Sequence, residues 1–158
     1  MYLKPESTKD IVRQVCQSIS NIPDNITIDI ANFSDNTILC DRRRLCEVIL
    51  NIMSNAFDAI IKKGPGFGGQ VSINSYRMPD DVMVVIEISD NGTGIEHKKQ
   101  KKIFDPFYSD KNMSHSWGLG LSYAHKILKQ HGGHIRLKST PGLGSVFYIF
   151  IPRMENER

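Results

Sequence analysis

The chain has 158 residues, 40% of them hydrophobic, with 20 Lys+Arg against 17 Asp+Glu. That is apolar material for the core of a single domain over residues 1–158, and the near balance of charge argues against the basic stripe or patch of a nucleic-acid-binding protein. Cys16, Cys40 and Cys46 have neither disulfide nor metal spacing, which favours a reducing compartment, and the sequence shows neither a signal peptide nor an apolar run of membrane-spanning length.

Met1–Pro5 reads as a lead-in. Ser7 predicts an N-cap and Asp10 a first-turn acid for a helix reaching about Asn21, with Ile11, Val12, Val15, Cys16 and Ile19 on its inner face. Pro23 lies in a turn, Ile26–Ile30 alternates as a strand, and Thr37–Cys40 is a short strand leading into the next helix. That helix runs from Asp41, its expected cap, to about Lys63, with apolar residues at helical spacing from Leu45 to Ile61. Gly64, Gly66, Gly68 and Gly69 with Pro65 end it; without a preceding strand or a Lys-Ser/Thr ending they form a linker rather than a phosphate loop. Gln70–Met78 and Val82–Ser89 read as an antiparallel hairpin, followed by Asp90-Asn91-Gly92-Thr93-Gly94. From Ile95 to Trp117 no long periodicity appears, only lysines and the aromatic knot Phe104-Asp105-Pro106-Phe107-Tyr108; a loop this long in a compact domain is functional or disordered. Gly118-Leu119-Gly120-Leu121 opens a helix to about His131, ended by Gly132-Gly133, and its N-terminal amides form an anion site. His134–Ser139 and Ser145–Pro152 are two final strands. The order of elements predicts an α+β fold, a mixed sheet with helices packed on one face.

The second helix carries an unusual polar line. Glu47, Asn51 and Asn55 follow at i, i+4 and i+8 and stack on one side, with Asp58 near them. An amide on an otherwise apolar helix is either solvated or tied into a polar network, or else it faces a cleft and offers its oxygen to a polar ligand or a hard cation such as Mg²⁺.

Together these pieces resemble the catalytic ATP-binding domain of sensor histidine kinases, within the superfamily that includes gyrase and MutL. The likeness extends from about Ser7 to Pro152 and rests on boxes in the family's order: Glu47-x-x-x-Asn51-x-x-x-Asn55-Ala56, Asp90-x-Gly92-x-Gly94, Phe104-x-Pro106-Phe107, Gly118-x-Gly120-Leu121 and Gly142-x-Gly144-Ser145-x-Phe147. The resemblance implies a two-layer sandwich, a mixed sheet of five or so strands under three helices. It implies ATP and Mg²⁺ as ligands. Asn55 would coordinate Mg²⁺, and Asn51 would lie beside the phosphates as a catalytic residue together with Lys111. Asp90 would accept from the adenine N6 amine, with Gly94 close to the ring and Gly92 and Ile95 also in the ATP site, and Ser145 would hold a water bridging to adenine. Phe107, Tyr108, Gly118, Leu119, Gly120 and Leu121 complete the implied ATP site, and residues 95–117 form its lid.

Asp58 stands where many relatives have Lys, Ser116-Trp117-Gly118 replaces Gly-Thr-Gly, and Asn51 occupies the position where ATP hydrolases of the superfamily place a Glu. Lack of that carboxylate favours phosphoryl transfer over hydrolysis. His97, His115, His125, His131 and His134 lack the family's phosphoacceptor setting and read as structural or surface residues. The implied partners are therefore a dimerisation segment bearing the acceptor histidine, and a response regulator, with neither nucleic acid nor membrane contacted by this domain and a cytoplasmic location. The competing readings are a nucleotide-binding module that regulates partners without chemistry, and another ATPase or protein kinase of the superfamily.

Overall fold

The computed structural model describes residues 1–30, 32–106, 108 and 120–154. Its elements are β1 (Lys4–Ser7), α1 (Thr8–Ser18), β2 (Ile26–Asp29), β3 (Thr37–Cys40), α2 (Arg42–Ile61), β4 (Gly69–Arg77), β5 (Met83–Asp90), α3 (His97–Gln100), α4 (Gly120–Gln130), β6 (His134–Thr140) and β7 (Gly144–Pro152). The main sheet has five strands in the order β2-β4-β5-β7-β6. Only the β2–β4 pair is parallel, so the sheet is mixed, as expected.

Alternation along the strands sends Val71, Ile73, Ile86, Ile88, Ile149 and Ile151 into the core. Against this face lies α2, whose Leu45, Val48, Ile49, Ile52, Met53, Ala56 and Ile60 are buried at helical spacing. Each of these side chains larger than alanine stabilises the fold by roughly 1.5–3 kcal/mol. Helix α1 contributes Ile11, Val12 and Val15 to the same core, and α4 contributes Ala124, Ile127 and Leu128.

The expected caps are present. Ser7 Oγ accepts from the Asp10 amide at 3.1 Å. Asp41 Oδ1 accepts from the Arg44 amide at 3.3 Å, and its other oxygen takes the Tyr2 amide at 2.9 Å. Those amides and the Arg44 guanidinium hold the Asp41 carboxyl below the usual carboxylate range against its burial. The N-terminus of α2 is also tied to the end of α4. His131 Nε2 accepts the Asp41 N–H at 3.0 Å, while Nδ1 lies 2.7 Å from the Ile127 carbonyl and donates to it. Arg42 bridges α2 to Glu6 of β1 at 2.7 Å.

Three expectations differ from the structure. Residues 4–7 are not merely a lead-in, because β1 pairs antiparallel with β3 in a separate two-stranded sheet. Lys4 and Pro5 are exposed there, so the strand shows no alternation, and it is recruited by the partner edge rather than by its own pattern; an edge tolerates the proline. Helix α1 stops at Ser18, short of Asn21, where Ile19 is extended (φ −79°, ψ 116°) and Asn21 turns to φ 60°. Residues 97–100 form a short helix inside the stretch read as an aperiodic loop. Four residues are too few to show a period.

Gly133, between α4 and β6, tests the packing of the layers. A Cβ added there would sit 2.0 Å from the Phe150 carbonyl oxygen, whereas one at Gly66 meets nothing within 4 Å. Gly133→Ala is expected to destabilise the domain by about 1–3 kcal/mol. Gly66→Ala should stay within about 0.5 kcal/mol of the parent in the same urea or thermal melt.

Candidate functional site

A cavity of about 400 Å³ opens between the C-terminal half of α2, the loop after β5, α3, the first turn of α4 and the β6–β7 turn. Its wall includes Asn55, Ala59 and Lys62 from α2, then Asp90, Thr93, Gly94, Ile95 and Glu96, then Lys99, Ile103 and Tyr108. Gly120, Leu121, Pro141, Ser145 and Phe147 complete it. A mostly apolar hollow of this size with a few convergent polar groups fits a small organic ligand.

Asp90 is the last residue of β5 and pairs across the sheet with Ser145 of β7. Its Oδ1 accepts from the Gly92 amide at 2.8 Å. Burial pushes the carboxyl up to about 6, opposed by the amides of Gly92 and Ser145 and by the charge of Lys63. The carboxylate is thus held by the turn it starts, and it also stands in the cavity wall.

The loop after Asp90 is clamped from both sides. The Thr93 amide donates to the Ala59 carbonyl of α2 at 3.1 Å, and the Gly142 amide donates to the Thr93 carbonyl at 2.7 Å. Lys63 Nζ donates to the Gly142 carbonyl at 2.8 Å and lies 4.4 Å from the centre of the Phe67 ring. Gly92 must be small because a Cβ would come within 2.6 Å of Ala59 Cβ. Gly94 has φ +67° and a Cβ on it would lie 2.2 Å from the Thr140 carbonyl oxygen, so only glycine closes this loop without strain.

The segment beyond Gly94 is tied to β6. Ser139 Oγ accepts from the Ile95 amide at 2.8 Å and lies 2.8 Å from Ser145 Oγ. Gln100 Nε2 donates to the Ile95 carbonyl at 2.8 Å and to the Ser139 carbonyl at 3.2 Å. Ser139, Gln100, Lys63 and the liner Ala59 escaped the sequence reading because each acts through backbone geometry that no motif spells out.

On α2 the polar line divides. Asn55 faces the cavity, whereas Asn51, one turn earlier, is half-buried and not among the cavity's liners. Glu47 turns to α4: its Oε2 accepts from Tyr123 OH at 2.5 Å, and Arg43 stands 3.5 Å from its other oxygen. Of the expected ligand-binding residues, the structure brings Asn55, Asp90, Gly94, Ile95, Tyr108, Gly120, Leu121 and Ser145 around one space, with Gly92 buried beneath Asp90. Phe107, Lys111, Gly118 and Leu119 lie outside the described residues, as does Trp117.

Among the described residues no three or more His, Cys, Asp and Glu side chains cluster as a metal site. A cation here would draw on amide oxygen, water and the ligand's own oxygens, a donor set that suits a hard ion such as Mg²⁺. No helix among the described residues is long and apolar enough to cross a membrane. Of the histidines, His131 is buried and His134 stacks on Phe150 at 4.3 Å, His97 and His125 are exposed, and His115 lies outside the described residues.

Residues 40–155 match the family of histidine kinase-, DNA gyrase B- and HSP90-like ATPases. The signal transduction histidine-protein kinase AtoS of Escherichia coli is 40% identical over 115 residues, 73% of this chain and 18% of AtoS. Sporulation kinase C of Bacillus subtilis is 34% identical over 154 residues, 94% of this chain and 34% of that protein. The chain therefore spans about a third or less of these relatives. Among solved structures, the catalytic domain of histidine kinase ThkA superposes with a TM-score of 0.77 at 29% identity, covering 97% of both chains. The mycobacterial sensor histidine kinase MprB shares the fold at a TM-score of 0.81 and 20% identity, over 96% of this chain and 97% of that one. With the cavity, the clamped Asp90 loop and the asparagine helix arranged as described, the chain belongs to the family of histidine kinase-, DNA gyrase B- and HSP90-like ATPases, as an ATP-binding catalytic domain of the sensor histidine kinase type.

Proposed function

We propose that this domain binds Mg·ATP in the cavity and donates the γ-phosphoryl group to a histidine on a separate dimerisation segment, from which a response regulator takes it. The observation that carries the reading is Asp90. A carboxylate in the wall of a cavity of about 400 Å³ that Asn55 of α2 also lines has the chemistry to recognise an exocyclic amine. Ser145 beside it would help to order the base edge, and Gly94 would lie against the ring. The amides of the first turn of α4, at Gly120 and Leu121, would face the phosphates together with the helix dipole. Asn55 would hold Mg²⁺ through its amide oxygen, and Asn51, one turn along, would sit towards the phosphates. When bound, Mg²⁺ neutralises charge on the phosphate oxygens. The protein's own part is positioning and exclusion of water.

With Asn51 where hydrolases of the superfamily place a Glu, that position offers no base to activate water, so transfer is favoured over hydrolysis. In the sequence, the five histidines lack the family's acceptor setting. The complex of ThkA with the response regulator TrrA supports a similar partner here, and a cytoplasmic location, where ATP is at hand, is part of the proposal. Lys111 remains the residue proposed to meet the outer phosphates.

Three outcomes test the reading. Incubated with γ-labelled ATP, the domain alone should acquire no acid-labile label, whereas adding a dimerisation segment from the same protein should produce it on that segment. Asn55→Ala should reduce the gain in ATP affinity on adding Mg²⁺ by about tenfold or more, with the melting temperature of the nucleotide-free domain unchanged. An equal Mg²⁺ gain in the variant would remove Asn55 as the ligand. Burial pushes the Asp90 carboxyl up to about 6, and an N–H donor binds better to its ionised form. ATP affinity should therefore rise with pH from about 5 to about 7 and then level off, beyond the change owed to ATP's own phosphates. Asp90→Asn should bind ATP more weakly and lose that step.

A further inference from the structure

Ser139 and Ser145 face each other across β6 and β7 at the edge of the cavity. Ser145 lines the cavity, and Ser139 stands behind it. The Ser139 hydroxyl has one proton and two lone pairs to place. One lone pair takes the Ile95 amide, 2.8 Å away. Two further oxygens are within reach, the Gly144 carbonyl at 3.0 Å and the Ser145 hydroxyl at 2.8 Å. A carbonyl only accepts, so Ser139 must spend its proton there for that contact to be a hydrogen bond. Its remaining lone pair then takes the proton of Ser145. This is the proton arrangement that makes all three contacts hydrogen bonds, and it satisfies the half-buried Ser139 and the buried Ser145 together.

The arrangement fixes the polarity of the cavity wall. Ser145 is 4% exposed, its proton is committed backwards to Ser139, and only its lone pairs can turn to the cavity. Asp90, its cross-strand partner, is an acceptor as well when ionised. We infer that Ser139, without touching the ligand, is a specificity-determining positioning residue: it holds Ser145 as an acceptor, so that this wall takes a base edge bearing an amine and rejects one bearing a carbonyl oxygen. The inference rests on the proposed adenine site and deepens it. Asp90 alone supplies a charge that repels an oxygen, and Ser139 removes the neighbouring hydroxyl donor that would otherwise rotate to relieve that repulsion.

The test is calorimetric titration of the domain with Mg·ATP and Mg·GTP. In Ser139→Ala the proton of Ser145 is released and can serve a carbonyl oxygen. The preference for ATP over GTP is expected to narrow by about 5- to 10-fold, chiefly through a gain in GTP affinity. Ser139→Thr keeps the hydroxyl and should keep the parent's ratio. A purely structural role would weaken both nucleotides alike, and an unchanged ratio in Ser139→Ala overturns the inference. In a Ser145→Ala background there is no proton to release, so adding Ser139→Ala should leave the ratio where it was; a further narrowing there also overturns it. Should Ser139→Ala not fold, Ser139→Cys, which keeps the bulk but loses the strong acceptor, carries the same comparison. A parent domain that binds neither nucleotide, or prefers GTP, defeats the proposed function itself. A parent that prefers ATP while Ser139→Ala keeps the ratio defeats the present inference alone.

Discussion

The seating of α2 on the sheet decides what the rest of the molecule can do. Its apolar residues Leu45, Val48, Ile49, Ile52, Met53, Ala56 and Ile60 recur at helical spacing and are buried, so the helix has one rotational setting about its own axis. Turning it by one residue would expose several isoleucines and bury charged groups in their place. With the helix so fixed, Asn55 has only the cavity to face. Ala59 lands where its carbonyl receives Thr93 and its methyl fills the space under Gly92. A short side chain at 59 and none at 92 allow the loop to lie directly on the helix, and this contact brings the Asp90 end of β5 up to the cavity.

Placing a carboxylate there has a thermodynamic consequence for folding. Its carboxyl lies near 6, above the ordinary 3.8, so the group favours the folded state most at acid pH, below about 4. That contribution is lost as pH rises through about 6, and the difference amounts to on the order of 3 kcal/mol at neutral pH. Amides from Gly92 and Ser145 and the nearby Lys63 limit the penalty without removing it. A strained electrostatic position of this kind is common at functional sites, where a ligand restores the missing interactions.

Sequence patterns revealed the main helices and strands because each of them buries one face of a clear period. Ser7 and Asp41 announced their caps, and the residues Asn55, Asp90, Gly94 and Ser145, separated by up to 90 positions, meet around one cavity as their boxes imply. Legibility failed where partners rather than patterns decide. The strand at residues 4–7 has nothing to alternate, and only the edge of β3 makes it a strand. Glu47 shares its stripe with the asparagines, yet Tyr123, distant in sequence, draws it to α4. Lys63 looks like an ordinary helix-end lysine until the Gly142 carbonyl is seen opposite it.

The imidazole of His131 carries a consequence of its own. Both ring nitrogens are engaged, Nε2 as acceptor for the Asp41 amide and Nδ1 as donor to the Ile127 carbonyl. A ring in that tautomer, 7% exposed, has no lone pair to offer an electrophile. A nucleophilic side chain that is chemically the same as the group a histidine kinase modifies is thereby built into the scaffold in a form that cannot compete for phosphorus.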